Sequence, residues 1–169
     1  TKEGLRGRTR CPFWTGGIGV TRPEQAYENF LTGYNCCQSI AVAYADVLGL
    51  SPEMAARLSS GFGGGMGRLR EVCGAVSGMV FVASAVKGYS DPKDFAKKKE
   101  LYALVQKLAG EFERENGSIV CRELLGLQVK KEDPTPSQRD EGYYKKRPCP
   151  KLIYLAAQIL ERELFSGKA

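Results

Sequence analysis

The residues with the widest choice of chemistry in this chain are its six cysteines, in a sequence of 169 residues that contains no histidine. They are Cys11, Cys36, Cys37, Cys73, Cys121 and Cys149. No pair has the Cys-x-x-Cys spacing, which excludes a thioredoxin-type motif, a zinc ribbon and a bacterial ferredoxin run. The lack of histidine excludes Ser-His-Asp and Cys-His nucleophile pairs, histidine metal ligands and a c-type haem site. Any demanding chemistry must therefore rest on Cys, Asp, Glu, Lys, Arg or Tyr side chains.

Four of the cysteines fall at or near the start of a predicted helix. They are Cys36, Cys73, Cys121 and Cys149. The free N–H groups and partial positive charge of a helix N-terminus stabilise a thiolate, which is both the nucleophile and the metal ligand. If the fold brings the four together, they form one or two redox-active dithiol pairs or a four-thiolate metal site. The alternative is that these thiols only pack, as small buried hydrophobic side chains.

The elements that must position these thiols are helices. Capping residues and helically spaced apolar residues recur along the chain, whereas alternating strand patterns between hairpin turns are missing. We therefore predict an all-α fold, a compact bundle of about five to seven helices around a central apolar helix at residues 69–87. Residues 21–169 should form a single all-α redox domain, and residues 1–20 a flexible N-terminal arm.

A glycine-rich loop at residues 61–67 separates two of these helices. Each glycine costs a helix interior about 1 kcal/mol relative to alanine, and neither G-x-G-x-x-G nor G-x-x-x-x-G-K fits the loop, so we expect no nucleotide. Bare backbone at these positions can instead bring N–H groups close to a buried anion or a cluster sulfur. The residues expected to contact such a group are Gly63, Gly64, Gly65, Gly67 and Arg68. Arg68 and Arg70 would offset its negative charge.

The formal net charge of +6 is unevenly distributed, since residues 1–20 alone supply +3. The basic runs at 97–99 and 145–147 are short, which favours a solvated face over nucleic-acid binding. The longest apolar stretch, residues 72–86, is shorter than the roughly 20 residues that cross a bilayer. Residues 1–10 lack the apolar segment of a secretory signal. We expect a cytoplasmic protein without membrane insertion and without a nucleic-acid partner.

Four segments, taken together, resemble a known family. They are residues 34–39 (Tyr-Asn-Cys-Cys-Gln-Ser), the glycine loop through Arg68, residues 73–78 (Cys-Gly-Ala-Val-Ser-Gly) and residues 121–126 (Cys-Arg-Glu-Leu-Leu-Gly). Over about residues 22–165 the chain resembles the C_GCAxxG_C_C family of redox-active prokaryotic proteins, which is named for its cysteine pattern. The family's four cysteines fall on Cys36, Cys73, Cys121 and Cys149, which leaves Cys11 and Cys37 as accessory thiols.

The resemblance implies a small redox protein. A similar cysteine-bearing domain is attached to certain cytochromes, where an iron–sulfur cluster is associated with it. By that analogy the four cysteines hold an iron–sulfur cluster, a binuclear one, for electron transfer or redox sensing. Zinc is less favoured, because the spacings between the cysteines are far longer than those of a zinc knuckle. No haem is expected.

Two alternatives stay open at this point. One is a metal-free thiol–disulfide oxidoreductase or redox sensor that uses the same four thiols. The other is a transporter-associated interaction module with structural cysteines, since members of the family are often encoded near transporter genes. We expect an electron-transfer or transporter-linked partner, and a homodimer is compatible with the sequence. If the protein is an enzyme, it should be an oxidoreductase.

Overall fold

The computed structural model describes residues 19–167, and within them the protein is all-α, as predicted. The expected N-terminal arm lies outside these residues except for Gly19 and Val20, and Cys11 lies outside them as well. Six helices in the described range have eight or more residues, in agreement with the predicted number. No helix in this part of the chain has both the length and the apolarity that a membrane crossing requires.

Short helices make up the first third of the described chain: α1 (Arg22–Leu31), α2 (Cys36–Ala43), α3 (Ala45–Leu48) and α4 (Pro52–Ser59). The side chains of Thr21, Asn35 and Ser51 cap α1, α2 and α4, each accepting a hydrogen bond from a backbone N–H three residues later. These caps explain why the chain turns helical at those points. The sequence pattern predicts one helix over residues 36–48, whereas Tyr44 has φ −111° and ψ 18° and divides it into two.

The rest of the chain forms three long helices, α5 (Gly74–Lys87), α6 (Phe95–Asn116) and α9 (Cys149–Leu160), and two short ones, α7 (Cys121–Leu124) and α8 (Glu141–Lys146), joined by irregular segments. One π-helical turn, Glu161–Phe165, extends α9. The core lies between α2, α5 and α9, while α1 packs on α2 and α9, and α6 packs on α5 and α9. Its largest fully buried side chains include Tyr44, Phe30, Phe112, Ile40 and Met79.

The apolar helix differs from the prediction in its start and its surroundings. It begins at Gly74 rather than near residue 69, and Ser84 and Ala85 on its second half are exposed. The structure therefore does not confirm the central position predicted for it. The late start follows from the preceding segment, in which Val72 forms an isolated antiparallel bridge with Val120. A residue held in an extended bridge is unavailable for a helix.

The glycine-rich loop connects α4 to that bridge. It begins with a 3₁₀ turn at Ser60–Phe62 and continues into the turn Gly63–Met66. Five consecutive residues, 64–68, have positive φ values between 56° and 68°, and the Gly67 N–H donates to the Gly63 carbonyl at 2.9 Å. This is one turn of left-handed helix, which costs an L-residue about 1–2 kcal/mol at each position. Three glycines in five residues keep that cost low.

Candidate functional site

The four predicted site cysteines line one small cavity of about 50 Å³: Cys36, Cys73, Cys121 and Cys149. Cys36, Cys121 and Cys149 are the first residues of α2, α7 and α9, and Cys73 is the residue that precedes α5. All are buried except Cys36, which is half-buried. The structure thus brings together four helix N-termini and the four thiols that the sequence singled out, although their positions in the chain are far apart.

The bridge between Val72 and Val120 places two of the cysteines. The Cys73 N–H donates to the Ile119 carbonyl at 2.8 Å, and the Cys121 N–H donates to the Glu71 carbonyl at 2.6 Å. Side chains alternate along extended backbone, so the residues that follow the two bridge partners share the opposite face from them. Cys73 and Cys121 are therefore diagonal neighbours on the face that meets the cavity.

Two glycines allow the closest approaches to the cysteines. A Cβ on Gly65 would lie 2.6 Å from the Cβ of Cys121, and a Cβ on Gly74 would lie 2.9 Å from the Cβ of Cys36. A side chain at either position would push the backbone away from the thiol. These are the positions in the site at which the absence of a side chain is required by contact rather than only by φ.

The other predicted loop residues take different positions around the cavity. Gly64 and Gly65 are part of its wall, whereas Gly63 packs on the side chain of Asn35. Gly67 uses its N–H for the bond to Gly63 that closes the left-handed turn. Arg68 is directed to the 133–137 segment, where its Nε donates to the Asp133 carbonyl at 2.7 Å. The structure thus places Gly64 and Gly65, of the five predicted loop residues, at the cavity.

Arg70 is the arginine of this loop that contacts a thiol. Its guanidinium is 3% exposed and donates from Nη1 to the Sγ of Cys121 at 3.6 Å. The same guanidinium forms an ion pair with Glu132, which fixes its orientation. The N–H groups of Glu71 and Arg70 in turn donate to the carbonyls of Gly65 and Gly64. A buried cation is thereby held against the cysteine cluster by the left-handed turn on one side and by residue 132 on the other.

An aromatic and cationic wall, which the sequence analysis missed, closes another side of the cavity. Arg139 donates to the carbonyls of Phe30 and Tyr34, and its guanidinium lies 4.6 Å from the centre of the Phe30 ring. Arg147 lies 4.7 Å from the centre of the Tyr143 ring. The spacing of Arg139, Tyr143 and Arg147, four residues each, could have indicated a shared face. No carboxylate is among the described residues that line the cavity.

The comparison with protein-family models matches residues 34–163 to the family described as "Putative redox-active protein (C_GCAxxG_C_C)". This chain belongs to the C_GCAxxG_C_C family. No curated protein and no solved structure shows significant similarity to it. The match covers all of the cavity lining except Phe30. Membership supports a redox role for this member of the family and identifies the cysteine cavity as the place to look for it.

The thiols of this C_GCAxxG_C_C protein are not equivalent in acidity. The neighbouring Cys36 thiol lowers the pKa of Cys149 to about 7, with further help from the positive charges of Arg147 and Arg70. The reverse influence of Cys149, together with burial, raises the pKa of Cys36 well above its usual range. Cys149 is therefore the thiol that ionises near neutral pH, with Cys36 as its proton-bearing neighbour.

Burial outweighs the helix N-terminus at the other two cysteines of the C_GCAxxG_C_C pattern. Backbone N–H groups of Ala75 and Val76 donate to the Cys73 thiol, yet burial raises its pKa to about 12. Burial also raises the pKa of Cys121, against the lowering effect of Arg70. The expectation that each helix start would produce a thiolate is thus supported only at Cys149. The other thiols need an added positive charge to ionise.

The arrangement of donors differs from that of a single-ion site. Among residues 19–167, no three Cys, Asp, Glu or His side chains surround one point closely enough to hold one metal ion. Cys37, next to Cys36 in α2, is fully buried outside the cavity lining, and burial raises its pKa to about 12. The four thiols of the C_GCAxxG_C_C cavity therefore line it without forming one compact group of ligands.

Proposed function

We propose that Cys36, Cys73, Cys121 and Cys149 hold a binuclear iron–sulfur cluster, and that the protein is a small electron-transfer or redox-sensing protein. The observation that carries the proposal is the convergence of the four thiols on one cavity. Membership in a family described as redox-active supports the same role. The cluster itself would supply a couple whose potential depends on hydrogen bonds to sulfur and on burial.

The donor set suits a binuclear cluster better than a single zinc ion. A tetrahedral zinc ion needs four ligands around one centre, whereas a binuclear cluster takes its thiolates in two pairs, one on each iron. Cys73 and Cys121 are diagonal neighbours beside the bridge, and the Cys36 and Cys149 thiols are near enough to shift each other's pKa values. Four thiols that line one cavity, with no three of them in residues 19–167 grouped around a single point, thus favour the binuclear arrangement.

The charges around the cavity suit an anionic group. Arg70, Arg139 and Arg147 line it, and no described lining residue is a carboxylate. Burial raises the pKa values of Cys73 and Cys121, so both thiols keep their protons in the absence of a bound cation. A bound cation would offset the cost of burying the two thiolates, and the protons would be released. The Arg70 N–H on the Cys121 sulfur would then raise the reduction potential by stabilising added negative charge.

Much of the rest of the lining is apolar. Phe30, Leu124, Leu125 and Leu152 provide apolar surface on the cavity wall. A low-dielectric surrounding strengthens the effect of each nearby cation and protects bound sulfide from solvent. The protein's contribution is therefore to supply four thiolates, a cationic hydrogen-bond donor and an apolar wall.

The experiment is purification without oxygen, followed by a visible absorption spectrum and assays of iron, zinc and acid-labile sulfide on one sample. Absorption at about 320–460 nm with matching iron and sulfide is the expected result. Each of the variants Cys36→Ala, Cys73→Ala, Cys121→Ala and Cys149→Ala should lose the colour. Cys37→Ala is the matched control, because it removes a buried thiol beside the cavity and should keep the colour. Colour retained in all four site variants would refute the proposal.

A second function is favoured by the proximity of Cys36 and Cys149, which line the same cavity and shift each other's pKa values in opposite directions. A metal-free protein could use this pair as a dithiol, with the Cys149 thiolate attacking a peroxide or a disulfide and the Cys36 thiol resolving the product. With a peroxide, Cys149 becomes a sulfenic acid and then a disulfide with Cys36, releasing water. A colourless protein that loses two hydrogens on oxidation, and not in the Cys36→Ala variant, would favour this reaction over the cluster.

A further inference from the structure

The basic run at residues 145–147 has a different environment from the one that a solvated face implies. It ends α8, the helix that forms the wall of the cysteine cavity. Tyr143 and Arg147 line the cavity, while Lys145 and Lys146 between them are exposed. This single helix therefore has the cysteine site on one side and two solvent-exposed cations on the other.

The charge of the chain is concentrated at this wall. Residues 139–151 contain five cations, Arg139, Lys145, Lys146, Arg147 and Lys151, against two carboxylates. Residues 21–138 and 152–169 together carry no net charge. The ion pair of Lys145 with Glu141 is between highly exposed side chains and leaves the local excess unchanged. Apart from residues 1–20, the whole positive excess of the protein thus lies in the 13 residues around the site wall.

We propose that α8 and its flanks, residues 139–151, are the docking surface for an acidic electron-carrier protein that exchanges electrons with the cysteine site. The proposal rests on the redox function proposed above and specifies its partner. Complementary charge steers two proteins into encounter and can raise association rates by about 10–10³-fold. A carrier on this surface would be separated from the cavity by little more than the side chains of Tyr143 and Arg147.

The position and the spacing of the exposed lysines favour a protein partner over a small anion and over nucleic acid. Lys145, Lys146 and Lys151 are exposed on the outside, whereas the cavity has room for only about four water-sized groups. Asp140 and Glu141 interrupt the cations, so the surface lacks the continuous positive track that follows a phosphate backbone. The surface also adjoins the proposed redox site, so a partner bound there is well placed to exchange electrons with the thiols.

The test uses flavodoxin, an acidic one-electron carrier, as the probe. The variant Lys145→Glu/Lys146→Glu reverses two charges on the wall, and Lys97→Glu/Lys99→Glu is its matched control. All four lysines are exposed, and each double variant breaks one surface ion pair. These are Lys145 with Glu141 in the wall variant and Lys97 with Asp94 in the control. At low ionic strength the second-order rate of reduction by reduced flavodoxin should fall by about tenfold or more in the wall variant and stay near the wild-type rate in the control. At about 1 M salt, where the Debye length is about 3 Å, the three rates should converge.

Two further readouts separate failure of the docking surface from failure of the redox site. Reduction by dithionite, a small reductant, should be equal in all three proteins if the site is intact. Calorimetric binding of oxidised flavodoxin to metal-free protein requires no cluster and should be weakened only in the wall variant. Equal effects of the two double variants on flavodoxin binding would overturn the proposal. So would tighter binding of a labelled RNA oligonucleotide than of flavodoxin, if the wall variant abolishes it.

Discussion

Replacing Gly65 by alanine tests whether the left-handed turn is what holds the loop against Cys121. The added Cβ would lie 2.6 Å from the Cys121 Cβ and 2.8 Å from the Glu71 backbone nitrogen, and the φ of residue 65 is +63°. An L-residue in the left-handed region costs about 1–2 kcal/mol, and crowding a packed site adds about 1–3 kcal/mol. We therefore expect Gly65→Ala to lower the free energy of unfolding by about 2–5 kcal/mol, a large part of the stability of an ordinary domain.

Two neighbouring glycines separate these contributions. Gly67 has φ +56° but its nearest non-neighbour atom would be 3.9 Å from the Cβ, so Gly67→Ala should show only the conformational cost. Gly61 has open space and no positive φ, so Gly61→Ala should be neutral or stabilising by about 0.4–1 kcal/mol. Urea unfolding of the metal-free proteins, with equal m-values, measures all three. Equal losses for Gly65→Ala and Gly67→Ala would show that contact with Cys121 has no energetic weight.

Two more predictions concern acidity and helix packing. In reduced, metal-free protein, iodoacetamide should modify Cys149 before the other site thiols, with a midpoint of the rate near pH 7. In Arg147→Gln that midpoint should move to higher pH, because the guanidinium favours the thiolate. Peptide mass spectrometry identifies the modified residue, and earlier modification of another site cysteine would contradict the prediction. Gly78→Ala should cost about 1–3 kcal/mol, because its Cβ would lie 2.9 Å from the Ile40 Cβ and 3.1 Å from the Ile40 Cδ1. The cost should be smaller in an Ile40→Val background, which removes Cδ1, and strict additivity in the double-mutant cycle would argue against that contact.

The parts of the fold that the sequence predicts well are those decided within a few residues. Thr21, Asn35 and Ser51 cap helices in the structure because each side chain reaches an N–H three residues away, a distance that local sequence specifies. The same local reasoning places Cys36 and Cys149 at helix starts. The four cysteines that the sequence places at or near predicted helix N-termini are the four that line the cavity.

The parts that the sequence did not predict depend on partners distant in the chain. The start of α5 is delayed by the bridge of Val72 to Val120, a pairing across 48 positions that no local pattern indicates. Arg70 rather than Arg68 reaches a thiol because Arg68 is held by the Asp133 carbonyl and the Ser137 hydroxyl, more than 60 positions away in the chain. The depth of burial at Cys73 decides its pKa, and burial is a property of the packed molecule rather than of a helix end.

The position of Cys149 at the start of α9 has a consequence for how the protein is made. The chain emerges from the ribosome N-terminal end first, and domains tend to form in that order. Cys36, Cys73 and Cys121 are therefore synthesised, and exposed to cellular metals and oxidants, while the fourth wall of their cavity is still unmade. The four-cysteine cavity can therefore close only once α9 has been synthesised and has packed on the earlier helices.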